Sequence, residues 1–296
     1  MAQVPATPKA RRAPLRALAR LSPSRAMSAT EVPSERAALA LRAARRSLPV
    51  AEEVVFLIPL VGPAHVTDWG AVGRRLTATL ESFIRQDDPR WRAVICCQER
   101  PALPDDARVT HLPFEDPAPG NDKWRKLAML ADHLGARGGP PAYAMSFDAD
   151  DLLRQGSVGE MLGRQGPGFL AETGFVRDVA TGNVALAAPR GPSAPLRKPF
   201  WKLCGSCAAL LHDPALPQSA AFLREMWQHE HRMFPHLAAL AGLPLAPLSR
   251  PSVLYELNHG ENFGARRGRV SYKSRFVAKY RVTDAEMLRE VIRDFP

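Results

Sequence analysis

The sequence predicts an α/β fold: a three-layer arrangement around a central, mostly parallel sheet, followed by a smaller β/α region. Three observations predict it. Val54-Val-Phe-Leu-Ile-Pro-Leu-Val61 is a continuous apolar run, the mark of a strand covered on both faces. Between residues 54 and 153 the patterns alternate as strand, helix, strand, strand, helix, strand, the order of a sheet with helices packed on it. Finally, the apolar run Tyr143-Ala-Met-Ser-Phe147 stops abruptly in three carboxylates, Asp148, Asp150 and Asp151. Ligands of such sheets lie beyond the carboxyl ends of the strands, where these acids fall.

At 296 residues the chain is long enough to bury a large core. Its net charge of +10 is uneven: residues 1–50 carry ten Lys/Arg against two Glu, a balance of +8. Seven further basic residues and no acid lie between Gly264 and Arg281. Basicity confined to the two ends argues against a nucleic-acid-binding face, and is compatible with anionic substrates or peripheral contact with an anionic membrane. No run of eighteen apolar residues offers a membrane span. Cys96-Cys97 and Cys204-Gly-Ser-Cys207 lack the four matched ligands of a structural zinc site, so they read as reduced, buried thiols of a cytoplasmic protein.

Residues 1–50 read as a disordered basic tail with a short helix over 34–47, and residues 51–296 as one folded domain. Within it, a helix over 72–85 places Val72, Leu76, Leu80 and Phe83 on one side. Strands follow at 90–97 and 109–114. Asn121 or Asp122 caps a helix over 123–134 with Trp124, Leu127, Ala131 and Leu134 inward. Beyond Leu152, runs 169–176 and 184–188 suggest a hairpin across Thr181-Gly-Asn183, and 207–212 a further strand. A helix over 219–236 carries Phe222, Met226 and Phe234 inward. Residues 255–263 read as a polar loop, and 284–293 as a terminal amphipathic helix.

In an extended segment, residues two apart point the same way, so Asp148 and Asp150 face one cleft. Two adjacent carboxylates repel unless a cation joins them or one is protonated. A hard divalent ion, Mg²⁺ or Mn²⁺, meets that need with one or two carboxylates, waters and substrate phosphates. The competing reading is a polar turn that caps the next helix.

The order of parts resembles the GT-A (Rossmann-like) glycosyltransferases, distantly those of glycosyltransferase family 2. The residues that carry the resemblance are Val54–Leu60, Asn121-Asp-Lys-Trp-Arg-Lys126, Ser146-Phe-Asp-Ala-Asp-Asp151 as the DxD motif, Cys204–Leu211, Glu230-His231 and His259. The resemblance implies that residues 51–153 bind a nucleotide-sugar donor and 154–263 a carbohydrate or lipid-linked acceptor. It implies ribose or metal contact for Asp148, direct metal ligation for Asp150, and a late metal ligand in His259. Glu230 becomes the candidate general base, and Lys123, Lys126 and Glu99 candidate donor-binding residues. Asp151 reads either as a further ligand or as a cap. Arg266, Arg267, Arg269 and Lys273 fold over the diphosphate or touch anionic lipid in this reading. The chain departs from the family pattern where the second strand ends in Gln98-Glu99 rather than Asp, and where the acceptor-side pair is Glu230-His231 rather than Glu-Asp. Two other classes compete: a non-catalytic nucleotide-binding module, and a haloacid-dehalogenase-type phosphohydrolase, whose nucleophilic Asp belongs on the first strand.

Overall fold

The computed structural model describes residues 3–115, 121–260 and 270–295. Three helices come first: α1 (Lys9–Leu21), α2 (Pro23–Ser28) and α3 (Pro33–Ala44). The sheet then begins with β1 (Glu53–Pro59), α4 (Trp69–Ile84), β2 (Trp91–Cys97), β3 (Val109–Pro113), α5 (Lys123–Arg137) and β4 (Ala142–Ser146). Asp68 caps α4 by accepting the Ala71 N–H at 2.8 Å, and Gly138, with φ +67°, closes α5. The second half contains β5 (Asp151–Leu153), α6 (Ser157–Arg164), β6 (Gly168–Leu170), β7 (Gly174–Asp178), β8 (Asn183–Ala187) and β9 (Ala208–His212). It ends with α7 (Pro217–Met226), α8 (Phe234–Leu240), β10 (Ala246–Pro247), β11 (Val253–Leu257), α9 (Val270–Lys279) and α10 (Ala285–Asp294).

The main sheet has the order β10-β6-β9-β4-β1-β2-β3, and β9 is its one reversed strand among the described residues. β1 pairs in parallel with β2 on one side and β4 on the other, which explains its unbroken apolar sequence. Strand alternation assigns the two helical layers. Phe56 stacks on Phe83 of α4 with ring centroids 4.0 Å apart, whereas Cys96, whose side chain points to the opposite face, meets Met129 of α5. The stacked pair adds roughly 0.5–1.5 kcal/mol beyond its burial. The structure is thus the predicted three-layer α/β architecture with a mostly parallel sheet. A smaller sheet, β5-β11-β7-β8, is the predicted second region.

Four sequence expectations are corrected. The disordered tail is instead helical and docked. Its composition conceals a stripe of small apolar side chains: Leu15 and Ala19 lie one helical turn apart, and with Ala38, Leu39 and Leu41 they are buried. Arg42 and Arg45 donate to carbonyls from Ala239 to Gly242, satisfying the carboxyl end of α8. The run 169–176 is divided between the two sheets, because Ala171 to Thr173 carry the chain from β6 to β7. The helix over 219–236 stops at Met226, and Pro235 opens a new helix in its first turn, where a missing N–H is harmless. The polar loop over 255–263 begins as strand, since Tyr255–Leu257 belong to β11. Arg266, Arg267 and Arg269 lie outside the described residues.

Candidate functional site at the carboxylate turn

A cavity of about 590 Å³ opens at the carboxyl ends of β1 and β4. Leu60 and Val61, Lys123 and Trp124, and Asp148 to Asp150 line one part of it; Lys202 to Gly205, Glu230 to Arg232, Tyr255, His259 and Lys273 line the rest.

The turn after β4 separates three acids that look alike in sequence. Asp148 accepts a hydrogen bond from Lys123 Nζ at 2.6 Å. Burial works against charge on Lys123, yet the Asp148 carboxylate outweighs it and holds the ammonium above the usual lysine range. Asp150 Oδ2 lies 2.8 Å from His259 Nε2. Burial would raise the Asp150 carboxyl, but the bond to His259 and the nearby Lys123 hold it low. Asp151 is fully buried, and its Oδ2 accepts from Ser206 Oγ at 2.5 Å and from the Cys204 thiol at 3.0 Å. Burial first, then the charges of Asp150 and Asp148, push its carboxyl far up, against the bonds from Ser206 and Cys204. Asp151 is neither ligand nor cap; it starts β5.

Register explains how a residue 109 positions later reaches Asp150. β11 runs antiparallel to β5 with Tyr255 opposite Asp151, so the chain after Tyr255 returns toward Asp150. Asn258 then turns it with φ +61°, anchored by Nδ2 donations to Asp178 Oδ2 at 2.6 Å and Ser274 Oγ at 2.8 Å. Asparagine is among the few side chains that tolerate this left-handed backbone.

The Cys204-Gly-Ser-Cys207 segment holds the turn from below. Ser206 Oγ accepts the Asp148 N–H at 2.8 Å while donating to Asp151, and Cys204 donates beside it. Both thiols are buried and burial raises them, Cys207 to a value above the ordinary thiol range, so they are neither thiolates nor disulfide-bonded. The expected reduced, buried thiols are found, and the segment also positions carboxylates.

The predicted residues therefore divide. Asp148, Asp150, Lys123, Glu230 and His259 share one cavity. Asp148 turns to Lys123 while Asp150 and His259 converge, and among the described residues no three His, Cys, Asp or Glu side chains form a closed ligand set. An open pair of one carboxylate and one imidazole fits a divalent cation that completes its shell with substrate phosphates and water. Lys126 is corrected: it is completely buried, and its ammonium donates to Leu60 O at 2.6 Å and Gln98 Oε1 at 2.7 Å beside Asp122 at 2.8 Å. It lies on the inner face of α5, tying β1 and β2 together, and is absent from the cavity wall. Glu99 is also corrected: it is exposed beyond β2 and does not line the cavity. Glu230 follows α7 in extended backbone rather than on a helix, with Arg232 Nε 3.9 Å from its carboxylate. His231 beside it is uncharged, since burial drives the imidazole down to about 3. Lys273 donates to the Tyr255 hydroxyl at 2.6 Å in the same cavity, where burial lowers its ammonium against the opposing charges of Asp148 and Asp150.

No family model matches the chain, and no curated protein sequence matches it. Among solved structures it is similar to TarS of S. aureus, with 10% identity and a TM-score of 0.33, over 69% of this chain but 37% of that one. It is also similar to the mannosyltransferase PcManGT of Pyrobaculum calidifontis, solved with GDP-Man and Mn²⁺, with 13% identity and a TM-score of 0.33 over 86% of this chain and 72% of that one. The likenesses are loose, and neither protein's chemistry carries over from them.

Proposed function

We propose that the protein is a metal-dependent glycosyltransferase that moves a sugar from a nucleotide-diphosphate donor to a carbohydrate or lipid-linked acceptor. The observation that carries this reading is the convergence of Asp150 and His259, 2.8 Å apart, at a cavity on the carboxyl edge of parallel strands, with Asp148 and Lys123 beside them. In this reading Asp150 and His259 hold Mn²⁺ or Mg²⁺, which when bound neutralises charge on a diphosphate leaving group. The Lys123–Asp148 ion pair fixes that carboxylate toward the ribose or toward water on the metal. Lys273 adds positive charge where a diphosphate oxygen would lie. Glu230, which lines the same cavity, accepts the proton of an acceptor hydroxyl if configuration inverts.

The phosphohydrolase alternative is disfavoured by the same geometry. Its nucleophilic carboxylate would have to stand free to attack, whereas Asp148 is bonded to Lys123 and follows β4, not the first strand. A screen of nucleotide sugars with Mn²⁺, scored by release of free nucleotide, tests the proposal. Turnover of at least one donor is expected, falling by at least roughly 100-fold in Asp150→Ala. Nucleotide binding without turnover of any donor, in the presence of varied carbohydrate acceptors, would favour the non-catalytic module.

A further inference from the structure

The cations around the cavity form two sets, distinguished by the charges they face. Lys123 and Lys273 lie in the field of the Asp148 and Asp150 carboxylates at the turn. At Lys202 burial first, then the positive charges of Arg190, Lys9, Arg232 and Lys198, lower the ammonium. These five residues are brought together from three separate stretches of chain. Lys9 opens α1, Arg190 to Lys202 come from the segment between β8 and β9, and Arg232 lies in the turn before α8. Lys202, Arg232 and Tyr272 line the cavity, and Lys198 Nζ stands 4.3 Å from the centre of the Tyr272 ring. Among the described residues, Lys9, Arg190, Lys198 and Lys202 form no ion pair, and Arg232 has only its 3.9 Å contact to Glu230.

Like charges gathered at one cavity wall destabilise the folded chain unless a bound anion compensates them. The docked amino-terminal segment contributes to the gathering. Val4 N–H donates to Gln228 O at 2.9 Å, and Gln3 reaches the cavity wall, which brings the start of α1 to the same rim. The cluster adjoins Glu230, whose carboxylate lies 3.9 Å from Arg232. That is the acceptor side if Glu230 receives the acceptor's proton.

We propose that Lys202, Arg232 and Lys198, with Arg190 and Lys9 at the rim, form a subsite for a phosphate or carboxylate carried by the acceptor glycan. The assignment rests on the glycosyltransferase reading. It narrows the acceptor from any carbohydrate to an anionic one, with the donor diphosphate left to Lys123, Lys273 and the metal. A neutral sugar would leave these cations with no counter-charge beyond the Arg232–Glu230 contact, whereas a phosphate or carboxylate meets them with charge-assisted hydrogen bonds.

The test uses the full chain with Mn²⁺ and UDP or GDP on an array of neutral, carboxylated and phosphorylated oligosaccharides at low salt. Binding is expected on the anionic glycans, weakened by added salt and reduced roughly tenfold in Lys202→Gln/Arg232→Gln. The nucleotide-dependent rise in melting temperature should persist in that variant. Equal binding of neutral glycans, or anionic binding unchanged in the variant, overturns the assignment while the transferase reading stands. Loss of the nucleotide effect in the variant also overturns it, because the cations would then serve the donor. Absence of any nucleotide effect in the unaltered protein defeats the transferase reading, and this assignment with it. Should the double variant fail to fold, Arg190→Gln/Lys198→Gln, both outside helices and strands, is read by the same criteria.

Discussion

Asn258 is the residue on which the position of His259 turns. Its φ of +61° costs most side chains roughly 1–2 kcal/mol, and its amide ties Asp178 to Ser274. Asn258→Gly should keep the backbone path and lose the tie, whereas Asn258→Val should lose both. We expect the valine variant to weaken Mn²⁺-dependent nucleotide binding by tenfold or more and the glycine variant by less, as measured by calorimetric titration. Equal losses would mean that the amide bonds, not the left-handed turn, place His259. At this scale the sequence was informative about identity and poor about environment. Asp148, Asp150 and His259 were legible as candidates from the motif's place at the end of a strand and from the resemblance, and the structure brings them to one cavity. Asp151 was not, since only tertiary packing buries it beneath Ser206 and Cys204 and away from the cavity. Lys126 failed for a related reason. A lysine on the inward stripe of α5 looks like a surface lysine until Leu60 O, Gln98 and Asp122 are seen to take its protons.

At the scale of elements, the amino-terminal helices are held by a buried polar cluster as well as by apolar contact. Thr7 and Thr30 hydroxyls donate to the two oxygens of Glu35 at 2.6 and 2.5 Å, and His236 Nε2 of α8 lies 3.1 Å from it. Burial alone would raise this carboxyl; the bonds from His236, Thr30 and Thr7 outweigh it and bring it down to about 2, from 4.5. A carboxyl lowered on folding stabilises the native state above its unfolded value, and that contribution is lost as pH falls through its folded value. The shift corresponds to on the order of 3 kcal/mol at neutral pH. The docked helices should therefore weaken as pH falls from about 4.5 toward about 2. Hydrogen exchange over α1 and α3, compared in the protein and in Glu35→Gln, checks this, with the variant losing the acid dependence. The sequence did not disclose this cluster, because Thr7, Glu35 and His236 are spread over 230 positions and have no spacing in common. The strands and helices from Val54 to Phe147 were legible, since their periodicity is local. The break at Pro235 and the division of 169–176 depend on packing that period cannot express.

For the whole molecule, the organisation is a parallel sheet that delivers carboxylates to one edge and a second, smaller sheet that delivers a histidine to meet them. α10 closes the second sheet through Arg154, which is nearly fully buried and bonds Glu290 at 2.6 Å as well as Asp294. The two sheets meet at the turn between β4 and β5, so the candidate metal pair is made of one residue from each side of that junction. Such a site forms only when both sheets are in place.

The most direct test of this account is the thermal melting temperature of the protein with Mn²⁺ and UDP or GDP, in parallel with Asp150→Asn and Asp151→Asn. The account predicts a nucleotide-dependent rise that requires Mn²⁺, vanishes in Asp150→Asn and survives in Asp151→Asn, whose carboxyl is buried against Ser206 and Cys204 outside the cavity. A rise that ignores Mn²⁺, or one lost in Asp151→Asn and kept in Asp150→Asn, would contradict it.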